Sequence, residues 1–143
     1  MSGGRRSSRR QAVFILYQGD LLKLDAESAL ERAADEQASE FAREIVRGVQ
    51  SEQERLDDVL GHHLSGWSVD RLGVLERAIL RVAVYEMLEE RDVPLAVVID
   101  EAVNLAKRFC SSEAGAFING VLGGVAKAVR PDVPESAASE ESR

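Results

Sequence analysis

A long and mainly apolar segment, VLERAILRVAVYEMLEE, occupies residues 74–90, and only four of its first 15 residues are charged. On a helix these charges do not form one wide polar face. Arg77 and Arg81 lie close together, whereas Glu76 and Glu86 point in other directions. At 17 residues the segment is too short and too charged to span a bilayer. The pattern therefore predicts the central helix of a bundle, with other helices packed around it.

Apolar residues also recur at helical spacing in five other segments, namely residues 9–22, 25–36, 39–64, 95–109 and 113–129. In the third of these segments, a polar interruption between Gln50 and Arg55 predicts a bend or a loosened turn. Ser39 is the predicted N-cap of that helix, and Ser112 is the predicted N-cap of the last helix. The pattern as a whole predicts an all-α protein of about seven helices.

The composition fits a folded protein of one domain or of two small sub-bundles that share a core. The chain has 143 residues, of which 45% are hydrophobic and only 5% are aromatic. The single cysteine, Cys110, cannot form an internal disulfide, and no apolar signal segment is found, so we expect a cytoplasmic protein. Residues 1–8 are expected to form a flexible basic arm. Residues 131–143, rich in Pro, Ser, Ala and Glu, are expected to form a disordered tail.

Charge is distributed unevenly along the chain. The net charge is -7, but residues 1–19 contain Arg5, Arg6, Arg9 and Arg10 without any acid, so the other 124 residues carry -11. An acidic protein is repelled by nucleic acid as a whole, and a basic segment at one end therefore indicates a local phosphate-binding site. A second acid-poor stretch, residues 102–131, has four basic residues and one acid. The two basic regions could meet in the fold.

The arginines stand at the predicted start of the first helix, at Arg9 and Arg10. Positive charge there opposes the helix macrodipole at a cost of roughly a few tenths of a kcal/mol per charge, which a bound phosphate would reverse. A solubilising tail and an Arg/Ser-rich transit peptide are alternatives that the residues leave open. Tyr17, two turns beyond Arg10, could stack on an unpaired base or belong to the core.

No arrangement of residues typical of catalysis is found. The sequence has no Gly-rich loop between a strand and a helix and no nucleophile elbow. The neighbouring His62 and His63 point about 100° apart on a helix and cannot chelate one metal together. Acid pairs such as Asp57 and Asp58 diverge for the same reason. The residues predict a binding protein that is not an enzyme, with no metal and no cofactor.

Four blocks of the sequence resemble the NusB family of transcription antitermination factors, in the family's order and at its spacing. They are RRSSRRQAVFILYQ, LERAILRVAVYEM, DVPLAVVIDEAVNLAKRF and FINGVLGGV. The resemblance implies two perpendicular helical sub-bundles, which would cover residues 9–64 and 65–130. It also implies binding to the single-stranded boxA element of nascent rRNA together with NusE, a small-subunit ribosomal protein, in support of rRNA transcription.

The resemblance also implies two sets of contact residues when it is carried over position by position. The first set comprises the RNA contacts. The family's Arg-rich segment matches Arg5, Arg6, Arg9 and Arg10, and its RNA-contacting Tyr matches Tyr17. Its FxNG block matches Phe117, Asn119 and Gly120. Glu113 stands where family members often have an acid beside the RNA, usually Asp. Contacts with NusE are implied for Glu76 and Arg77.

Three function hypotheses from different classes follow. The favoured one is an RNA-binding antitermination subunit that acts with NusE in the transcription elongation complex. The second is a helical adaptor that binds only protein. The third is an RNA-targeting domain for an rRNA-modifying enzyme whose catalytic chain is separate. Whether the protein forms a homodimer, and whether NusE must bind before the RNA, is left open.

Overall fold

The computed structural model of the chain describes residues 4–33 and 38–131, and within these ranges all regular structure is helical. A 3-10 turn, Val69–Arg71, precedes the fifth of the α-helices. The α-helices are α1 (Gly4–Leu22), α2 (Ala26–Arg32), α3 (Glu40–Ser51), α4 (Gln53–Gly61), α5 (Val74–Glu89), α6 (Leu95–Phe109) and α7 (Ser112–Val129). The predicted all-α class is confirmed.

Helix α5 is the centre of the structure, as its sparse charges predict. It packs against α1, α3, α4, α6 and α7, so it contacts helices from both halves of the chain. Leu80, Val84 and Met87 are fully buried along its length. Even two of its charged residues, Arg81 and Glu86, are buried, because each is paired with a residue of another helix. The division of the fold into two sub-bundles near Ser65 stays a prediction.

The segment between Ser39 and Leu64 forms two helices, so the prediction of one bent helix is wrong in this detail. Helix α3 ends at Ser51 and α4 begins at Gln53, with Glu52 between them at φ -104° and ψ 13°. The residues around this break are solvent-exposed or half-buried polar residues. The polar interruption in the sequence therefore marks the boundary between two helices.

The first helix begins five residues earlier than the sequence predicts. Helix α1 starts at Gly4, so the prediction of a flexible arm is wrong for residues 4–8, and residues 1–3 lie outside the described ranges. Ser8 explains the difference because it is buried against the start of α3. Its Oγ donates to the carbonyl oxygen of Gly4 at 2.7 Å and lies 2.7 Å from the Oγ of Ser39. The predicted tail falls outside the described residues from residue 132 onward.

Serine side chains cap two of the helices. Ser39 Oγ accepts a hydrogen bond from the Ala42 N–H at 3.0 Å, which confirms it as the N-cap of α3. At α7 the cap is Ser111 and not the predicted Ser112. Ser111 is extended, with φ -164° and ψ 167°, and its Oγ accepts from the Ala114 N–H at 3.0 Å. Ser112 is already helical.

Within the described residues, no helix is both long enough and apolar enough to cross a membrane.

Candidate nucleic-acid interface

Side-chain contacts join helices α1 and α6 at two levels, and their order shows that the two helices run in the same direction. Arg6 of α1 contacts Glu101 of α6, and eight residues further along each helix the ring of Phe14 contacts that of Phe109. Eight residues of helix rise about 12 Å. The two contacts therefore mark the ends of a groove of that length, and the exposed side chains between them form what we call the α1/α6 groove.

One end of the α1/α6 groove is basic. A cavity of about 180 Å³ opens there, and its walls come from both helices: Arg6, Arg10, Glu101, Asn104, Leu105 and Arg108. Arg10 is exposed and has no hydrogen bond or ion pair with any described residue. The described contact of Arg108 is with the ring next to it, since its guanidinium lies 5.1 Å from the centroid of Phe109. Both guanidinium groups can therefore accept an anionic ligand.

The other end of the α1/α6 groove is aromatic. The rings of Phe14 and Phe109 meet edge to face at 5.0 Å between centroids, and Tyr17 meets Phe14 in the same way at 6.4 Å. Phe109 is 42% exposed, although large apolar residues are usually more buried. Tyr17 is half-buried and also packs against the core, and its stacking on a base stays a prediction. An exposed ring next to unpaired arginines is the combination that binds single-stranded nucleic acid.

The structure corrects the predicted phosphate contact of Arg9. It is only 5% exposed, and its Nε lies 2.6 and 2.7 Å from the two carboxylate oxygens of Glu86. Its Nη1 donates to Glu101 Oε2 at 2.7 Å. Because α1 begins at Gly4, Arg9 lies in the second turn of the helix and faces the interior. Arg9 therefore holds α1 against α5 and α6 and is not exposed to a phosphate.

The pKa values of Arg9 and Glu86 are set by their burial and by their contact with each other. Burial raises the pKa of the Glu86 carboxyl, and the hydrogen bonds and positive charge of Arg9 act against that rise. Burial also tends to lower the pKa of Arg9, but the two carboxylates outweigh it and the guanidinium pKa is raised. Arg9 stays charged, and it supplies the positive charge that a buried carboxylate needs.

Arg5 and Arg6 lie on the exposed side of α1. Arg6 Nε donates to Glu101 Oε1 at 3.2 Å, while most of its side chain is in solvent. Arg5 lies 3.9 Å from the Asp92 carboxylate, and its guanidinium stands 4.8 Å from the centroid of the Phe41 ring. Both arginine side chains are exposed to solvent, so these ion pairs would contribute little stability and could yield to a phosphate. RNA binding by both residues stays a prediction.

The predicted contact residues of α7 are not joined to the α1/α6 groove. Glu113, Asn119 and Gly120 are exposed, whereas Phe117 is half-buried against the core. No hydrogen bond, ion pair or ring contact among the described residues connects any of them to α1. Asn119 also lies about 200° round the helix from Phe117, so the two side chains diverge. Their predicted RNA contacts stay predictions.

The two residues predicted to bind a partner differ in their surroundings. Arg77 is already paired, since its Nη2 and Nε lie 2.6 and 3.0 Å from Oδ2 of Asp20 in α1. Glu76 is half-buried and has no hydrogen bond or ion pair within the described ranges. Its charge adds to burial in raising the pKa of the Cys110 thiol, which places Glu76 near the end of α6.

Sequence reasoning missed three residues of the α1/α6 groove: Phe14, Asn104 and Phe109. Arg108 belongs to the acid-poor stretch 102–131, and it lines the same cavity as Arg6 and Arg10, so the two basic regions do meet there. The two rings are apolar residues of helical stripes, which usually belong to a core. The signal that could have found them is the pair Arg108 and Phe109 at the end of α6, where a basic residue and an aromatic residue are adjacent. No group of three His, Cys, Asp or Glu residues in the described part of the chain could hold a metal ion.

The fold and this surface define a class of protein, an all-helical binding domain whose basic and aromatic side chains share one groove. Comparison with known proteins gives the family. The NusB family model matches residues 6–127, so the chain belongs to the NusB family. A relative from Halalkalibacterium halodurans, the transcription antitermination protein NusB, is 46% identical over 129 residues, which are 89% of this chain and 96% of the relative.

Two further comparisons agree with this family. The transcription antitermination protein NusB of Rubrobacter xylanophilus is 48% identical over 122 residues, covering 84% of this chain and 88% of the relative. A solved structure of the antitermination factors NusB and NusE in complex with dsRNA contains a chain with a TM-score of 0.81 and 30% identity. That match covers 90% of this chain and 99% of the other.

Proposed function

We propose that this protein is a transcription antitermination factor that binds RNA and the ribosomal protein NusE. The relatives described above are named transcription antitermination proteins, and the structural relative was solved with NusE and dsRNA. We further propose that the RNA is the single-stranded boxA element, that the complex acts on the elongating polymerase, and that the protein works in the cytoplasm. The observation that carries the RNA-binding proposal is the α1/α6 groove.

The chemistry of the α1/α6 groove suits a single RNA strand. Guanidinium groups neutralise phosphates, and exposed rings accept stacked bases regardless of sequence. Residues 20–143 carry a net charge of -11, so this part of the chain as a whole repels RNA. The groove therefore directs a strand to one place on an otherwise repulsive protein.

The proposed NusE contact rests on Glu76. A half-buried carboxylate without an internal partner is costly unless a basic group comes to it, and a ribosomal protein is a natural source of such groups. Arg77 is also a proposed contact, but its guanidinium is already bound to Asp20 and is better suited to orienting the surface. A homodimer is the other assembly that the family resemblance suggests, and its test is the mass of the purified protein in solution.

Fluorescence anisotropy with a labelled boxA-type RNA tests the proposed function. We expect the protein to bind the single strand, more tightly with NusE present, with an affinity that falls as salt rises. Arg10→Gln should reduce the magnitude of the slope of log affinity against log salt by about 0.7, the value for one lost contact with a single strand.

Arg32→Gln is the matched control, because Arg32 is also exposed and has no hydrogen bond or ion pair with a described residue, but it lies on α2. The control should leave the slope unchanged. If the protein binds NusE but binds no RNA in either condition, the second hypothesis, a helical adaptor for proteins alone, replaces the proposal.

A further inference from the structure

The cavity at the basic end of the α1/α6 groove has a regular construction. On α6 its lining residues are spaced at i, i+3, i+4 and i+7, so they form one face of the helix: Glu101, Asn104, Leu105 and Arg108. On α1 its lining residues, Arg6 and Arg10, are one turn apart. The cavity is therefore built from two facing helix surfaces, and both are held by the buried Arg9 contacts to Glu86 and Glu101.

The charges in this cavity are divided between its two ends. Glu101 lies at the Arg6 end, where its carboxylate already accepts from both Arg6 and Arg9. At the other end, Arg10 and Arg108 face no carboxylate within hydrogen-bonding distance among the described residues. An anion is repelled from the first end and attracted to the second. A phosphate group would therefore bind between Arg10 and Arg108.

Asn104 and Leu105 lie between these two ends. Asn104 is exposed, and its amide has no hydrogen bond to any described residue, so it presents one donor and one acceptor to a ligand. Leu105 beside it is half-buried and offers an apolar surface. An amide next to an apolar surface can bond the polar edge of a nucleobase while the face of the base lies on the hydrocarbon.

We propose that this cavity binds one unpaired nucleotide of the RNA, with its phosphate between Arg10 and Arg108 and the edge of its base on Asn104. The inference rests on the proposed function and adds to it a place at which RNA sequence is read. Phosphate contacts fix the position of a strand without regard to sequence, whereas base-edge contacts discriminate. Arg108 is thus a positioning residue for the strand, and Asn104 determines specificity.

A panel of labelled single-stranded RNAs that differ by one base at successive positions tests this inference. Arg108→Gln should weaken binding of every RNA by a similar factor, roughly tenfold for the loss of a charged hydrogen bond, and lower the salt slope by about 0.7. Asn104→Ala should leave the salt slope unchanged and reduce the difference between the preferred and disfavoured base at one position.

Arg32→Gln and unchanged melting temperatures serve as controls, since Asn104 and Arg108 are both exposed. If the parent and Arg10→Gln behave as the proposed function requires, but Arg108→Gln and Asn104→Ala bind every RNA like the parent, the nucleotide site is wrong and the proposed function stands. If the parent binds no RNA, both fail. If Arg108→Gln weakens binding to a polyglutamate peptide and not to RNA, the cavity binds acidic protein and the inference is overturned.

Discussion

The adjacent arginines Arg9 and Arg10 should have opposite roles, and replacing each in turn tests that contrast. Arg9 is 5% exposed and Glu86 is 1% exposed, so removing the guanidinium of Arg9 leaves a carboxylate buried without a charge partner. Breaking a buried pair in this way costs about 3–5 kcal/mol. For a chain of this length, at about 4 °C per kcal/mol, Arg9→Met should lower the melting temperature by roughly 12–20 °C.

The double variant Arg9→Met with Glu86→Leu separates loss of the ion pair from loss of packing. Replacing both partners by apolar side chains of similar size removes the unpaired charge and is often neutral or stabilising. We therefore expect the double variant to melt well above Arg9→Met. If instead the destabilisations caused by the two substitutions add, the lower stability of Arg9→Met arises from lost contacts of the Arg9 hydrocarbon stem and not from the buried charge.

The cost of Arg9→Met should also depend on pH in a direction that the structure fixes. Burial raises the pKa of Glu86 above its ordinary value of 4.5, and removing Arg9 removes the main opposing influence. A carboxyl whose pKa is raised in the folded state takes up a proton on folding. It favours the folded state below pH 4.5, and this contribution is lost as the pH rises through the raised pKa. The destabilisation should therefore be smaller in acid than at neutral pH.

Thermal unfolding followed by circular dichroism measures these effects, and RNA anisotropy well below the melting temperature completes the test. Arg10→Gln should melt like the parent and bind RNA more weakly. Arg9→Met should unfold at a lower temperature than the parent, while its folded fraction binds RNA with the same slope of log affinity against log salt. An Arg9→Met protein that keeps its melting temperature and loses salt slope would refute the buried pair and restore Arg9 as a phosphate contact.

Three further predictions concern single residues. Tyr17→Ala should lose roughly 1–3 kcal/mol of RNA binding while Tyr17→Phe loses little, whereas a lower melting temperature with unchanged RNA affinity would assign Tyr17 to the core. Glu76→Lys should keep its melting temperature and RNA affinity but bind NusE much more weakly in calorimetry; undiminished NusE binding would place the contact elsewhere. Gly48→Ala should lower the free energy of unfolding in urea by about 1–3 kcal/mol, because a Cβ there would overlap the Tyr85 ring. If that overlap is the cause, Gly48→Ala should not destabilise a protein that already carries Tyr85→Ala.

The helices could be predicted from the sequence because their signals are local. The ends of α6 agree with the prediction at both Leu95 and Phe109, since Pro94 precedes the first and the apolar stripe stops at the second. The N-cap Ser39 needed only its own residue type and the pattern that follows it. The break at Glu52 was visible only as a polar interruption, and such an interruption does not distinguish a bend from two helices.

The site could be predicted only in part, because it depends on pairings between residues that are distant in the chain. Whether Arg9 or Arg10 faces the solvent is set by the burial of Ser8 and by Glu86, which is 77 positions away from Arg9. The contact between Phe14 and Phe109 likewise joins two helices that the sequence does not show to be neighbours. The basic character of α1 and of the stretch that contains Arg108 was evident in the sequence, but which of their residues face each other was not.

The central claim is that RNA binds in the α1/α6 groove, and amide chemical-shift mapping tests it most directly. Titration of the isotope-labelled protein with the boxA-type single strand should shift the amides of Arg6, Arg10 and Phe14 on α1 and those of Asn104 through Phe109 on α6. Amides of α2 and α4, which each contain more acidic than basic residues, should stay in place. Shifts confined to those helices, or spread evenly over the protein, would contradict the groove as the RNA-binding surface.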